Sequence, residues 1–272
     1  MSLRVANISA QLAAVTMPER EITRLLRHRR NAVIFDIGAC EGEDSIRYAR
    51  RFPHGKVYSF EPLPANQVLV RANLARHCID HAELVPLALS NRPGVATFHV
   101  SAGEPPEKFA GDDWNYGNKS SSLLPPAGSE PMHGWLLFPT EISVACDTLD
   151  GFCAGRGIQR VDFIHMDVQG AEWLVLQGSH RMLPSTTAVW LEVANAELYR
   201  GQRLRSDIER FMTAAGFAVL AQDMRGVEGD QFYVNRRLWR CRMRLAARRA
   251  TQLFTRIRFQ LGRFRSRLSP SP

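Results

Sequence analysis

The chain has no apolar run long enough to cross a bilayer. Its first residues, MSLRVANISAQLAAVTMPERE, lack a basic start followed by a long apolar core, so no secretory leader is expected. It has no C-x-x-C pair, and its five cysteines (Cys40, Cys78, Cys146, Cys153 and Cys241) are odd in number. That argues against a disulfide framework and suggests no zinc site. There is no internal repeat. Together these absences predict a reducing, cytoplasmic setting. Acidic residues are missing from Arg236 to Pro272, where twelve arginines stand. The net charge of +8 therefore belongs to the tail, because residues 1–235 carry 23 basic and 27 acidic residues. A mildly acidic body does not present the positive catalytic face of a nucleic-acid enzyme, and no specific nucleic-acid partner is expected.

What is present centres on the stretch from Val33 to Glu61, VIFDIGACEGEDSIRYARRFPHGKVYSFE. An apolar run ends in Asp36, a glycine-bearing turn from Gly38 to Gly42 opens a helical pattern, and a second apolar run ends in Glu61. This strand–turn–helix–strand unit places a nucleotide-like ligand at the carboxyl ends of parallel strands. Glycines let the backbone turn sharply and approach closely. Glu61, about 20 residues past the turn, stands where an acid binds ribose hydroxyls. The D-x-G-x-x-x-G spacing is not the G-x-G-x-x-G of a dinucleotide site. Asp36, Glu41, Glu43 and Asp44 would repel a pyrophosphate but tolerate a cationic amine and sulfonium, such as those of S-adenosylmethionine. A structural turn in some other α/β protein is the alternative at this point.

Strand and helix patterns alternate along the rest of the chain. Thr16-Met-Pro-Glu19 is a capping-box pattern that predicts a helix over 17–29, its arginines and His28 forming a solvated face. Helices are predicted near 44–51, 65–77, from 147, from 170 and over 207–215. Strands are predicted at 83–89, 95–100, 142–146, 161–166, 188–193, 217–220 and 231–234. The alternation implies a mainly parallel sheet with helices on both faces. Residues 101–140 are rich in Gly, Pro and Ser but also hold Phe109, Trp114, Tyr116, Trp135 and Phe138, which predicts a substrate-facing lid. The expected organisation is an N-terminal helical extension at 1–31, a catalytic domain at 32–235 containing that insertion, and a basic tail at 236–272.

With these segments placed, the chain resembles the FkbM family of S-adenosylmethionine-dependent methyltransferases. The resemblance rests on VIFDIGACEGEDS, KVYSFEPLPANQVLVRANL, LVPLALSN, CDTLD, VDFIHMDVQGAEWLVLQG and AVWLEV, with Ser120-Ser-Ser-Leu-Leu124 between them, in the family's order across about residues 32–235. It implies a seven-stranded Rossmann-like α/β sheet with a reversed last strand. It also implies that Asp36, Gly38, Ala39 and Gly42 flank the methionine end of the cofactor, that Glu61 holds the ribose, that Leu87 and Ala88 border the adenine, and that Asp167 faces the reacting centre. Cys40 stands where the family usually has Asn, and Gln169 where it usually has Glu.

A hydroxyl acceptor must lose a proton during methyl transfer, so a general base is expected near the fourth and fifth strands. Asp167 ranks first and Glu192 second; His165 and Glu172 read as structural groups at least as well. No ligand spacing compels a metal. The expected acceptor is a small molecule or glycan. A macromolecule methyltransferase, or a non-catalytic binding protein on the same fold, is the alternative. From Trp239 to Leu268 apolar residues recur at three and four, opposite an arginine-rich face. That pattern predicts a helix suited to an anionic membrane surface at the inner face of the membrane or to a helical partner.

Overall fold

The structure is a computed structural model that describes residues 5–106, 114–127 and 134–239. The tail beyond Trp239, including most of the expected amphipathic helix, lies outside the described residues, as does Phe109. After α1 (Ser9–Ala13) and α2 (Met17–Leu26), the chain alternates as the patterns predict. It runs through β1 (Val33–Ile37), α3 (Glu43–Arg51), β2 (Lys56–Phe60), α4 (Pro64–Arg76) and β3 (Ala82–Val85), then β4 (Ala88–Leu89), β5 (Gly94–Ala102) and β6 (Leu137–Asp147). The second half holds α5 (Leu149–Gly155), β7 (Phe163–Met166), α6 (Glu172–Gln177), β8 (Ala188–Ala194), α7 (Arg205–Ala214), β9 (Phe217–Arg225) and β10 (Glu228–Asn235).

Seven strands form one sheet in the order β3-β2-β1-β7-β8-β10-β9. Pairing is parallel from β3 to β8, and β10 runs antiparallel between β8 and β9. The expected reversed last strand is therefore β10. Chain order reverses between β1 and β7, which opens a crevice at their carboxyl ends.

Alternate residues along each strand feed two cores. Phe35, Ile37, Ile164, Met166, Val189 and Leu191 pack with Leu149, Phe152, Val175, Leu176, Ile208 and Met212 of α5, α6 and α7. On the other face, Ile34, Val57, Phe163, Trp190 and Phe232 pack with Ile22, Leu25 and Leu26 of α2 and with Tyr48 and Ala49 of α3. The N-terminal helix is thus built into one face of the domain. Thr16 caps it by accepting from the Glu19 N–H at 3.4 Å. Arg29 departs from the solvated face expected of its neighbours. It donates to the fully buried Asp162 carboxylate at 2.9 Å, which also accepts from the Val33 N–H.

The expected single strand over 83–89 is two strands in two sheets. Pro86 has no N–H to give to a ladder, so the main sheet loses the chain after Val85. The chain resumes as β4, which joins β5 and β6 in a second, three-stranded sheet. That sheet rests on its own apolar cluster of Leu63, Ala88, Phe98, Val144 and Cys146. The predicted lid is the long excursion between β5 and β6. Its described middle docks on β5 by a bridge from Ser122 to His99, and on the main domain by a bridge from Pro126 to Tyr199.

Candidate active site

The turn after β1 is shaped by packing on β7. Gly38 has φ +91°, and a Cβ there would lie 1.8 Å from the Asp167 carbonyl oxygen. The position needs glycine because the end of β7 approaches it, a more specific reason than ligand access alone. The N–H groups of Gly38 and Ala39 both donate to the Phe60 carbonyl, and Cys40 donates its N–H to Glu61 Oε2 at 2.8 Å. Gly42 is the left-handed residue that opens α3.

Glu61 is 4% exposed. Its Oε1 accepts from the Leu63 N–H at 2.7 Å. Each carboxylate oxygen is therefore fixed by one backbone donor and keeps lone-pair capacity for a further donor. Burial pushes the Glu61 carboxyl up to about 7, against the two backbone hydrogen bonds that lower it.

A cleft opens beside Glu61, with about 520 Å3 of non-atom space, part of it open to solvent. Its lining includes the apolar Leu87, Ala88, Leu89, Phe98 and Leu123, of which Ala88, Phe98 and Leu123 belong to the cluster of the second sheet, and also Gly38, Cys40, Asn118, Lys119 and Asp167, of which Cys40, Asn118 and Lys119 contact one another. Of the cofactor residues predicted from sequence, Gly38, Glu61, Leu87 and Ala88 line this cleft together. Asp36, Ala39 and Gly42 do not. Ala39 packs with Ala6, Ile8, Ile46 and Val70 behind the turn. Asp36 is buried on the α3 face, where its Oδ2 accepts from Ser45 Oγ at 2.5 Å.

The four acids of the turn stand beside the protein's own cations. Glu41 and Glu43 lie 3.4 and 3.2 Å from Lys119 Nζ. Asp44 is 3.4 Å from Arg47, and Asp36 is 3.3 Å from His165 Nδ1. Three cations thus face four carboxylates, Lys119 being shared by Glu41 and Glu43, so most of the charge expected to favour a cationic ligand is offset inside the fold. His165 belongs to this internal group. It neighbours Asp36 across the β1–β7 pairing and contacts the Tyr48 ring edge-on. The carboxylates around it outweigh burial and lift its pKa to about 9, which favours an imidazolium. It does not line the cleft and is no candidate for the base.

Asp167 does line the cleft, at the end of β7. It is open to solvent but stands in a crowded concavity that raises its pKa, against a hydrogen bond from Gln169 and the charges of His165 and Lys119. The Gln169 amide, in a left-handed backbone conformation (φ +55°), donates to Asp167 Oδ1 at 2.6 Å and to Glu192 Oε2 at 3.2 Å. Its own oxygen lies 2.9 Å from the Tyr199 hydroxyl, which also reaches the Ser120 carbonyl at 2.8 Å. Burial and the Asp167 charge raise the Glu192 carboxyl well above its ordinary value. Glu192 stands beside Asp167 but not in the cleft lining. Glu172 is a loop clamp: its Oε1 accepts from the N–H groups of Val168 and Gly170.

Sequence reasoning missed four contributors. Gln169, noted only as standing where the family usually has Glu, donates to both the Asp167 and Glu192 carboxyls. Tyr199 anchors it and packs where a side chain on Gly170 would stand. Asp230, opposite Glu192 in the β8–β10 register, adds a carboxyl raised to about 7 by burial and by Asp167. Lys119 lay inside a polar run, Asn-Lys-Ser-Ser-Ser, whose chemistry was the available signal. Among the described aromatic residues of the insertion, Tyr116 meets Trp135 and Phe138 meets Tyr199 edge to face, Trp114 lies against Lys119 Nζ, and none of these lines the cleft. Among the described residues no group of three or more His, Cys, Asp or Glu is placed to hold a metal ion.

Sheet order, the crevice at the β1–β7 reversal and Glu61 just beyond β2 define a Rossmann-like α/β protein with a crevice of the kind that holds a nucleotide-like ligand. Residues 36–219 match the methyltransferase FkbM domain, and the chain belongs to that family. It is 34% identical over 220 residues to the 2-O-methyltransferase NoeI of Sinorhizobium fredii, covering 80% of this chain and 85% of that protein. It is 24% identical over 217 residues to the methyltransferase sdnD of Sordaria araneosa, covering 74% and 79%. Among solved structures, magnesium protoporphyrin IX methyltransferase from Synechocystis PCC 6803 superposes with a TM-score of 0.43 at 11% identity, over 80% of this chain and 77% of that one.

Proposed function

We propose that this chain is an S-adenosylmethionine-dependent O-methyltransferase acting on a hydroxyl of a sugar, glycan or small natural product. The observation that carries the reading is the cleft itself. Glu61 offers two oriented carboxylate oxygens in a cleft whose lining also holds the apolar Leu87, Ala88 and Leu89 and the carboxylate of Asp167. Glu61 fits a ribose diol, because each oxygen keeps capacity after its backbone bond. The apolar lining residues fit a purine. NoeI, whose name gives a 2-O-methyltransferase, supports an oxygen acceptor.

S-adenosylmethionine supplies an electrophilic methyl group on a positively charged sulfur. The chain's part is to hold an acceptor hydroxyl in line with that methyl group. Bound there, the cofactor would give up that methyl group to the oxygen and keep the carbon–sulfur electron pair as a neutral thioether. The hydroxyl proton passes to Asp167, and Gln169 holds that carboxylate in place. Asp167 lines the cleft and Glu192 does not, so Asp167 is the carboxylate that an acceptor hydroxyl there can reach.

Calorimetric titration with S-adenosylmethionine tests the cofactor, and Asp167→Asn tests the base. The variant is expected to bind the cofactor within a few-fold of wild type and to lose methyl transfer by about two to four orders of magnitude. Mass spectrometry of metabolites and surface glycans in a deletion strain identifies the acceptor as the species that loses a methyl group. Failure of the wild-type protein to bind S-adenosylmethionine would refute the reading. The arginine-rich pattern of residues 236–272 supports a further proposal, peripheral contact with an anionic membrane or a helical partner.

A further inference from the structure

We infer that Lys119, carried by the insertion between β5 and β6, is a cofactor-binding residue whose ammonium takes the α-carboxylate of the methionine part of S-adenosylmethionine. The inference rests on the cofactor reading above. It makes the insertion around Lys119 a wall of the cofactor site, not only a lid over the acceptor.

Three observations carry it. First, among the described residues that line the cleft, Lys119 is the sole cationic side chain. It is grouped with Cys40 and Asn118, whereas Ala88, Phe98 and Leu123 of the lining belong to the apolar cluster of the second sheet; a purine held by that cluster, with its ribose on Glu61, leaves the methionine part for Lys119. Second, the cation is built in. The Lys119 side chain is 24% exposed, with Nζ 3.2 Å from Glu43 Oε1, 3.4 Å from Glu41 Oε1 and 3.8 Å from the centre of the Trp114 ring. An ammonium has three protons to donate. Two are matched by these carboxylates. The remaining polar neighbour is Cys40 Sγ at 3.7 Å, a weak acceptor. Burial holds that thiol protonated, so it supplies no thiolate to replace a ligand anion. Third, the adjacent Asn118 lines the same cleft, and its Oδ1 is buried with no hydrogen-bond partner while its Nδ2 serves Asn66 and Glu41. A cation and an orphan acceptor on consecutive residues complement the carboxylate and ammonium of an amino-acid zwitterion.

The rival role for Lys119 is purely internal: neutralising Glu41 and Glu43. Ligands that differ only in the methionine part separate the two. Wild-type protein is titrated by calorimetry with S-adenosylmethionine and with decarboxylated S-adenosylmethionine, which lacks only the α-carboxylate. The decarboxylated ligand is expected to bind about tenfold or more weakly, the scale of one lost charge-assisted hydrogen bond. Lys119→Met, with a melting curve to show that it folds, is expected to lose about the same factor for S-adenosylmethionine and to bind 5′-methylthioadenosine within about twofold of wild type. Equal affinity of wild type for the first two ligands overturns the inference, whether or not the variant folds. So does a Lys119→Met loss that is the same for S-adenosylmethionine and methylthioadenosine, which would mark a structural role. If wild type binds methylthioadenosine but not S-adenosylmethionine, the inference fails and the purine site stands. If it binds none of the three, the cofactor reading fails with it.

Discussion

Replacing Glu61 with Gln separates two effects of one carboxyl. The folded protein holds Glu61 at about 7, against an ordinary 4.5, with burial as the main cause. Because the folded pKa is the higher one, the native state binds this proton more tightly than the unfolded chain. Stability is then greatest below about pH 4.5 and is lost as pH rises towards 7, the reverse of a salt-bridged carboxylate. At roughly 1.4 kcal/mol per pKa unit, the ionised group costs the fold on the order of 3 kcal/mol above pH 7. The Gln side chain does not titrate, so that cost disappears. In exchange, an amide cannot accept from both Cys40 N–H and Leu63 N–H with its two heavy atoms. One N–H is left facing an NH2 group, which costs about 1–3 kcal/mol at every pH.

Glu61→Gln is therefore expected to be less stable than wild type at pH 5 and equal or more stable at pH 8. The gap should move by about 2–3 kcal/mol across that window. Urea denaturation of both proteins at several pH values measures it. Asp44, at about 6, and Asp230, at about 7, titrate in the same range but occur in both proteins, so to first order they cancel in the difference. Parallel stability curves would refute the buried-charge account. Cofactor affinity should move the other way. In wild type it tightens from pH 6 to 8 as Glu61 ionises to accept the ribose hydroxyls. In the variant it is weaker by about tenfold or more at pH 8, with a flat pH profile.

The other predictions concern the walls of the cleft and the tail. Gln169→Glu places a third carboxyl between Asp167 and Glu192, so the pH at which methyl transfer switches on should rise by about one unit or more; an unchanged pH–rate profile would remove Gln169 from the positioning role. Gly38→Ala drives a Cβ to 1.8 Å from the Asp167 carbonyl and strains a φ of +91°, and should cost about 3 kcal/mol or more in denaturation. A loss under about 1 kcal/mol would mean that the turn and β7 separate easily. For the tail, flotation with anionic liposomes should fall when residues 236–272 are deleted, and equal flotation would exclude the membrane proposal.

The part of the site legible in the sequence is the part built from one local unit. From Val33 to Glu61 the chain forms a strand, a turn, a helix and the parallel strand beside the first, so motif spacing maps directly onto space. The position of Glu61 follows from that spacing; Leu87 and Ala88 came from the family resemblance, and they reach the cleft because Pro86 diverts the chain away from the main sheet. The rest of the site is assembled across the fold. Lys119 meets Glu41 and Glu43 over a separation of more than 70 residues. Gln169 ties β7 to β8 and to Tyr199, and Asp230 enters because β10 inserts antiparallel beside β8. No periodicity in the chain encodes those meetings.

The acidic turn shows how a local reading can carry an incomplete physical reason. Asp36, Glu41, Glu43 and Asp44 cluster at one helix start, and an isolated cluster of that charge would call for a cationic ligand. In the fold, Arg47 of the same helix and Lys119 and His165 from distant segments offset three of the four charges. With most of that charge offset, recognition of a charged cofactor falls mainly to individual donors and acceptors with capacity to spare, and the described residues offer these at Glu61, Asn118 and Lys119. Cofactor affinity should therefore respond to changes at those three residues more sharply than to neutralising Asp44. That variant removes a charge already paired with Arg47 and leaves every lining group in place.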